Sequence, residues 1–100
     1  MSDRPVAFIT GAGRGIGRAI ALALAQDGFD IVGNDISYDP QNTASGLGEV
    51  QQRVADLGAA FAAAPGDIAR LELHERLLSI ALERFGRVDV LVNNAGIAPE

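Results

Sequence analysis

Three short segments dense in Val, Ile, Leu and Phe, residues 6–10, 31–35 and 88–93, each run into Gly, Asn or Asp at the carboxyl end. None alternates apolar with polar residues. Unbroken apolar runs of this length belong to strands covered on both faces, the condition of a parallel sheet flanked by helices. A fourth, weaker strand is expected within residues 59–64, where Gly58 before it and Pro65-Gly66 after it bound a segment too short for a helix. Three helical patterns lie between the strands. The first places Ile16, Ala19, Ile20, Ala23 and Leu24 on one stripe, read as core, with Gly28 available to stop the helix. The second covers roughly residues 47–57 and ends at Gly58. The third runs from about residue 70 to 85 before Gly86, with Leu73, Leu77, Ile80 and Ala81 on one face; Leu78 and Leu82 lie off that face, where a further layer would meet them. A β-α-β-α-β-α-β order, with crossovers too long for hairpins, predicts an α/β doubly wound parallel sheet with strand order 3-2-1-4. The one long loop, residues 38–46, carries the turn signal Asp39-Pro40.

One hundred residues with 48% apolar content allow a single core. Composition also removes several kinds of chemistry. Without Cys there is no disulfide, thiolate nucleophile or Cys-ligated metal, and His74 alone cannot form a His cluster, so no metal site is expected. A net charge of −5 and eight scattered basic residues, all Arg, make nucleic acid and anionic membranes poor partners. No apolar run is long enough to span a membrane, and residues 1–5 lack the pattern of a secretory signal; the expected location is cytoplasmic.

The densest motif is Thr10-Gly11-Ala12-Gly13-Arg14-Gly15-Ile16-Gly17, between the first strand and first helix, where a sheet of this order reverses direction and opens a ligand crevice. Glycines here let the backbone approach a pyrophosphate, and the N–H groups and dipole of the helix N-terminus attract its charge. Gly17 can instead serve close packing of helix on strand. A P-loop is excluded because the chain has no Lys, and Gly-x-Gly-x-x-Gly fails because Ile16 and Arg18 stand where its last glycine would fall.

The pattern that does fit, Thr-Gly-x-x-x-Gly-x-Gly, resembles that of the short-chain dehydrogenase/reductase family. Three further matches follow in order: Asp35 at the end of the second strand, the pair Asp67-Ile68 after the third, and Asp89-Val90-Leu91-Val92-Asn93-Asn94-Ala95-Gly96 at the fourth. The resemblance implies a Rossmann-like NAD-binding portion. Gly11, Gly13, Arg14, Gly15, Ile16 and Gly17 would bind the cofactor, with the glycines approaching its pyrophosphate, and Asp35 with Ile36 would meet the adenosine ribose. Asp67 and Ile68 would hold the adenine; Asn94, Ala95 and Gly96 would lie beside the nicotinamide ribose. Asn93 is read as structural, His74 as an exposed structural residue far from the strand ends, and Tyr38 as a surface loop residue, with contact to adenine as its alternative.

NAD is expected over NADP. Arg14 occupies a position where NADP-preferring relatives often carry a base, but Asp35 opposes a 2′-phosphate. A carboxylate about 4 Å from one phosphate charge costs about 4 kcal/mol at an effective dielectric near 20, and Ile36 supplies no second cation.

In the family, hydride transfer uses a Tyr, a Lys, a Ser and an Asn beyond the Asn-Asn-Ala-Gly segment, and none maps here: Tyr38 is the only Tyr, and Asn42, not Lys, stands four residues on. Residues 1–100 are therefore expected to be the N-terminal dinucleotide-binding portion of one domain, with the catalytic portion absent from this chain. The parent is expected to be an NAD(H)-dependent oxidoreductase of a small alcohol or ketone, homotetrameric by resemblance. The alternative is a non-catalytic NAD-binding module; a methyltransferase of related topology would leave the Asn-Asn-Ala-Gly strand unexplained.

Overall fold

The computed structural model describes residues 3–95. Its elements are β1 (Val6–Ile9), α1 (Gly15–Gln26), β2 (Asp30–Asp35), α2 (Gly46–Asp56), β3 (Phe61–Pro65), a 3-10 turn (Leu71–Leu73), α3 (His74–Phe85) and β4 (Val90–Val92). The four strands form one sheet in the order β3-β2-β1-β4, every pair parallel. The doubly wound sheet expected from the strand pattern is thus the fold found.

Each strand sends alternate side chains to opposite faces, and both faces are covered. Ala7, Ile9, Ile31 and Phe61 pack with Leu47, Val50 and Val54 of α2 and with Ala21 and Ala25 of α1. Val6, Phe8, Val32, Ala62 and Ala64 pack on the other side against Leu77 and Ala81 of α3. Covering both faces removes any need for polar residues within the strands, which is why the runs in the sequence do not alternate. At the amino ends of the strands, buried Asp30 accepts hydrogen bonds from Arg4 Nε at 2.8 Å and the Ala60 amide at 3.0 Å. Asp89 accepts the Val6 amide at 2.8 Å and pairs with Arg87.

The core-facing stripe expected on the first helix is corrected. α1 buries Gly17, Ala21 and Ala25, while Ile16 is 64% exposed and Ala19 and Ala23 face outward. Ile20 and Leu24 only flank the core. Small side chains one helical turn apart let the helix press onto the sheet, and the many alanines of this segment left its buried face undetermined by periodicity. β4 is shorter than the expected residues 88–93, β3 starts at Phe61, and the start of the third helical pattern is a turn and a 3-10 segment before His74. Leu78 and Leu82 do lie off the buried face, 47% and 45% exposed, and Leu78 lines a groove with Leu91 of edge strand β4, which is also open. Among the described residues no helix is long and apolar enough to cross a membrane.

Candidate functional site

Four chain segments leave the carboxyl ends of the strands on the same side of the sheet, and the turn after β1 is tied to both neighbours. The Thr10 amide donates to the Val92 carbonyl at 3.0 Å and the Ala12 amide to the Asn34 carbonyl at 2.8 Å. Gly11 takes φ +64°, a left-handed conformation in which a Cβ would also press on Asn94 Nδ2 at 2.9 Å. Gly17 rests on this turn: a Cβ there would fall 2.0 Å from the Gly11 carbonyl oxygen. The packing role left open for Gly17 is therefore present, with the Gly11 carbonyl as the surface approached. Gly13 is buried, and a Cβ on it would fall 2.7 Å from Asp35 Oδ2. Gly15 differs from all three, with φ +59° and open space where a Cβ would stand.

These turns enclose a crevice of about 630 Å³. Gly11, Arg14, Gly15 and Ile16 form its wall at α1, Asp35 and Ile36 its wall at β2, Asp67 and Ile68 the wall after β3, and Asn94 and Ala95 the wall after β4. Sequence reasoning singled out each of these. Gly13 and Gly17 stand behind the surface, and Gly96 lies outside the described residues. Asn34, Gly66 and Ala69 also line the crevice and were not foreseen.

The supporting side chains are polar groups with most of their hydrogen bonds made. Buried Thr10 accepts the amides of Asn94 at 2.9 Å and Ala95 at 3.0 Å on its hydroxyl oxygen, while its O–H lies 3.4 Å from both the Val92 carbonyl and Asn93 Oδ1. Asn94 Nδ2 reaches back to the Gly11 carbonyl at 3.3 Å. Thr10 thus locks the Asn-Asn-Ala segment onto the glycine turn. Asn93 joins that network and stays outside the crevice lining, in keeping with a structural role. Asn34, 1% exposed, donates to the Ala64 carbonyl at 2.8 Å and the Gly66 carbonyl at 3.0 Å, tying the end of β3 to β2. A buried Asn within an apolar strand was the available signal for it.

His74 is corrected in position. It opens α3, and its Nε2–H donates to the Ile68 carbonyl at 2.6 Å, close to the strand ends instead of far from them. It is exposed, as expected. Tyr38 leaves the crevice altogether: it packs beside the core and its hydroxyl bonds Gln51.

Both signs of charge border the crevice. α1 begins without a side-chain cap or an acidic residue in its first turn, and the first intrahelical bond runs from the Arg18 amide to the Arg14 carbonyl. The amides of Gly15, Ile16 and Gly17 precede that bond at the positive end of the helix dipole, and Arg14 has no ion pair among the described residues. Beside the same turn the Asp35 carboxylate is fixed by two backbone donors, Gly13 N–H to Oδ2 at 2.9 Å and Ile36 N–H to Oδ1 at 2.8 Å. Asp67 turns its own loop through Oδ1 and the Ala69 amide at 3.0 Å. Behind α1, Arg18 and Arg53 both pair with Glu49, and hydrogen bonds from Arg18 first and Arg53 second hold its carboxyl below the usual range. The arrangement suits an elongated ligand that is anionic at one part and carries hydroxyl donors at another.

Residues 5–100 match the family model described as short chain dehydrogenase. A short-chain dehydrogenase/reductase of Hericium erinaceus is 43% identical over 97 residues, covering 97% of this chain and 38% of its own. The crystal structure of a 3-oxoacyl-[acyl-carrier protein] reductase from Brucella melitensis in complex with NAD superposes with TM-score 0.84 at 39% identity, over 98% of this chain and 36% of that one. An alcohol dehydrogenase from the archaeon Thermococcus sibiricus complexed with 5-hydroxy-NADP gives TM-score 0.76 at 38% identity, over 87% and 35%. The chain therefore spans little more than a third of the length of each of these three proteins. With the sheet order, the glycine turn and the Asn94-Ala95 segment in place and the family model matched along nearly the whole length, this chain belongs to the short chain dehydrogenase family.

Proposed function

We propose that the protein is an NAD(H)-dependent oxidoreductase of a small alcohol or ketone, and that residues 1–100 form the dinucleotide-binding portion of its single Rossmann domain. The supporting observation is that the open amides of α1 and the doubly fixed carboxylate of Asp35 border one crevice, at the strand ends where such sheets bind nucleotides. The open space beside Gly15, where any side chain would intrude, fits close approach of a diphosphate to the backbone.

In this assignment the amides of Gly15 and Ile16 and the guanidinium of Arg14 hold the pyrophosphate, and Gly11, with Gly17 packed behind it, shapes the turn that presents them. Asp35 accepts the adenosine ribose hydroxyls, with Ile36 beside it. Asp67 and Ile68 receive the adenine, and Asn94 and Ala95 the ribose next to the nicotinamide, with Gly96 following. A bound nicotinamide would supply hydride acceptance and donation. The residues of this segment bind and orient, and the proton-transferring groups belong to the remainder of the protein.

NAD is favoured over NADP because Asp35 is already held by two N–H groups, so its charge stays where a 2′-phosphate would come. Arg14 is a single cation in the α1 wall of the crevice and offsets part of that repulsion. Calorimetric titration of the complete protein with NAD and NADP tests this. NAD should bind more tightly, and Asp35→Ala should bring the two affinities together; unchanged discrimination in that variant refutes the assignment, as does failure of both dinucleotides to bind.

A further inference from the structure

Gly13 and Asp35 are 22 positions apart in sequence and in direct contact. The contact has two parts. The Gly13 N–H donates to Asp35 Oδ2 at 2.9 Å, and the place where a Gly13 side chain would begin is already taken by the same carboxylate, with Oδ2 at 2.7 Å and Cγ at 3.3 Å. The next nearest atom, the Leu47 nitrogen, is at ordinary contact distance, 3.4 Å. Gly13 does not take a positive φ, so no left-handed backbone demands glycine there. The requirement for glycine at this position is therefore not a requirement of the turn. The two atoms nearest to a Cβ at this position both belong to the Asp35 carboxylate.

Resting on the dinucleotide assignment above, we infer that Gly13 is a positioning residue for cofactor choice: by lacking a side chain it lets the Asp35 carboxylate seat against the turn, and its N–H holds the carboxylate there. Gly13 contributes through Asp35 and is itself buried behind the crevice surface. A methyl group at position 13 would evict a flexible side chain, which is cheap for the fold, yet it would move the Asp35 charge that opposes a 2′-phosphate. Cofactor preference should change without any change in the charge of the protein. Loss of one hydrogen bond to a charged group corresponds to roughly tenfold or more in binding.

The test is a cycle of four forms of the complete protein, wild type, Gly13→Ala, Asp35→Ala and the double variant, each titrated calorimetrically with NAD and with NADP. Gly13→Ala should lower the NAD-over-NADP preference by roughly tenfold in the wild-type background and leave it unchanged in the Asp35→Ala background, where the carboxylate is absent. Amide hydrogen exchange of the ligand-free protein gives a second readout. Exchange at residue 13 should accelerate in Gly13→Ala and in Asp35→Ala, while Ala12, whose amide is bonded to the Asn34 carbonyl, keeps its protection. A Gly13→Ala protein with wild-type preference overturns the inference, as does an equal loss for both cofactors that persists without Asp35. If Asp35→Ala itself keeps the wild-type preference, the dinucleotide assignment fails first.

Discussion

Gly17→Ala is the substitution for which two physical effects of opposite sign can be weighed from the structure. Replacing Gly by Ala within a helix ordinarily stabilises it by roughly 0.5–1 kcal/mol, because the unfolded chain loses freedom. Against this, the new Cβ would stand 2.0 Å from the Gly11 carbonyl oxygen and 2.6 Å from Asn94 Nδ2. The first distance is about 1.4 Å short of ordinary van der Waals contact, which begins at 3.4 Å. The Asn94 side chain can swing away. The Gly11 carbonyl cannot, because its residue is held between the Thr10 and Ala12 amides, each bonded to a neighbouring strand. Overpacking of this kind costs about 1–3 kcal/mol or more, so the net effect should be a loss of about 2 kcal/mol. Urea denaturation of the complete protein at pH 7 measures it, with Gly15→Ala as the comparison. A Cβ added at Gly15 would meet no other part of the protein within 4 Å, and the penalty is only the left-handed backbone, about 1–2 kcal/mol. Adding Asn94→Ala to Gly17→Ala should recover little, since the carbonyl remains. A Gly17→Ala protein as stable as wild type would refute the packing account, and full recovery in the double variant would move the clash from the carbonyl to Asn94.

Two other perturbations follow from the supporting groups. Thr10→Val keeps the shape of the side chain but leaves the Asn94 and Ala95 amides without their acceptor, a loss of about 1–3 kcal/mol that Thr10→Ser should largely restore; hydrogen exchange at these two amides should accelerate in Thr10→Val, and unchanged protection would remove Thr10 from the role given to it. For Glu49, hydrogen bonds from Arg18 and Arg53 lower the folded-state pKa below the ordinary value of 4.5. Its stabilising contribution is therefore present above that pH and lost as pH falls through the folded value. Glu49→Gln should be less stable than wild type at pH 7, with the difference shrinking in acid and in high salt; urea midpoints that differ equally at pH 7 and pH 3 contradict this.

The order of the elements, the parallel sheet and the positions of the crevice walls were legible in the sequence for a local reason. Strands buried on both faces leave continuous apolar runs such as Ala7 to Ile9 and Ile31 to Val32, and each run ends where the chain must turn toward the crevice. Gly11, Asp35, Asp67 and Asn94 stand at those ends, so strand topology alone brings them together. What one residue does to another across the sheet was not legible. The buried face of α1 was misassigned because Ala19, Ala21, Ala23 and Ala25 are the same residue type, and only contact with the sheet distinguishes inward from outward. The seat that Gly13 makes for Asp35, the bonds from Thr10 to the chain after β4, the link from Asn34 to the end of β3 and the hold of His74 on the Ile68 carbonyl join residues that no sequence period connects. A pattern of apolar residues determines which faces are buried, but hydrogen-bond partners between segments exist only once the sheet has set their distance, and those the tertiary structure alone decided.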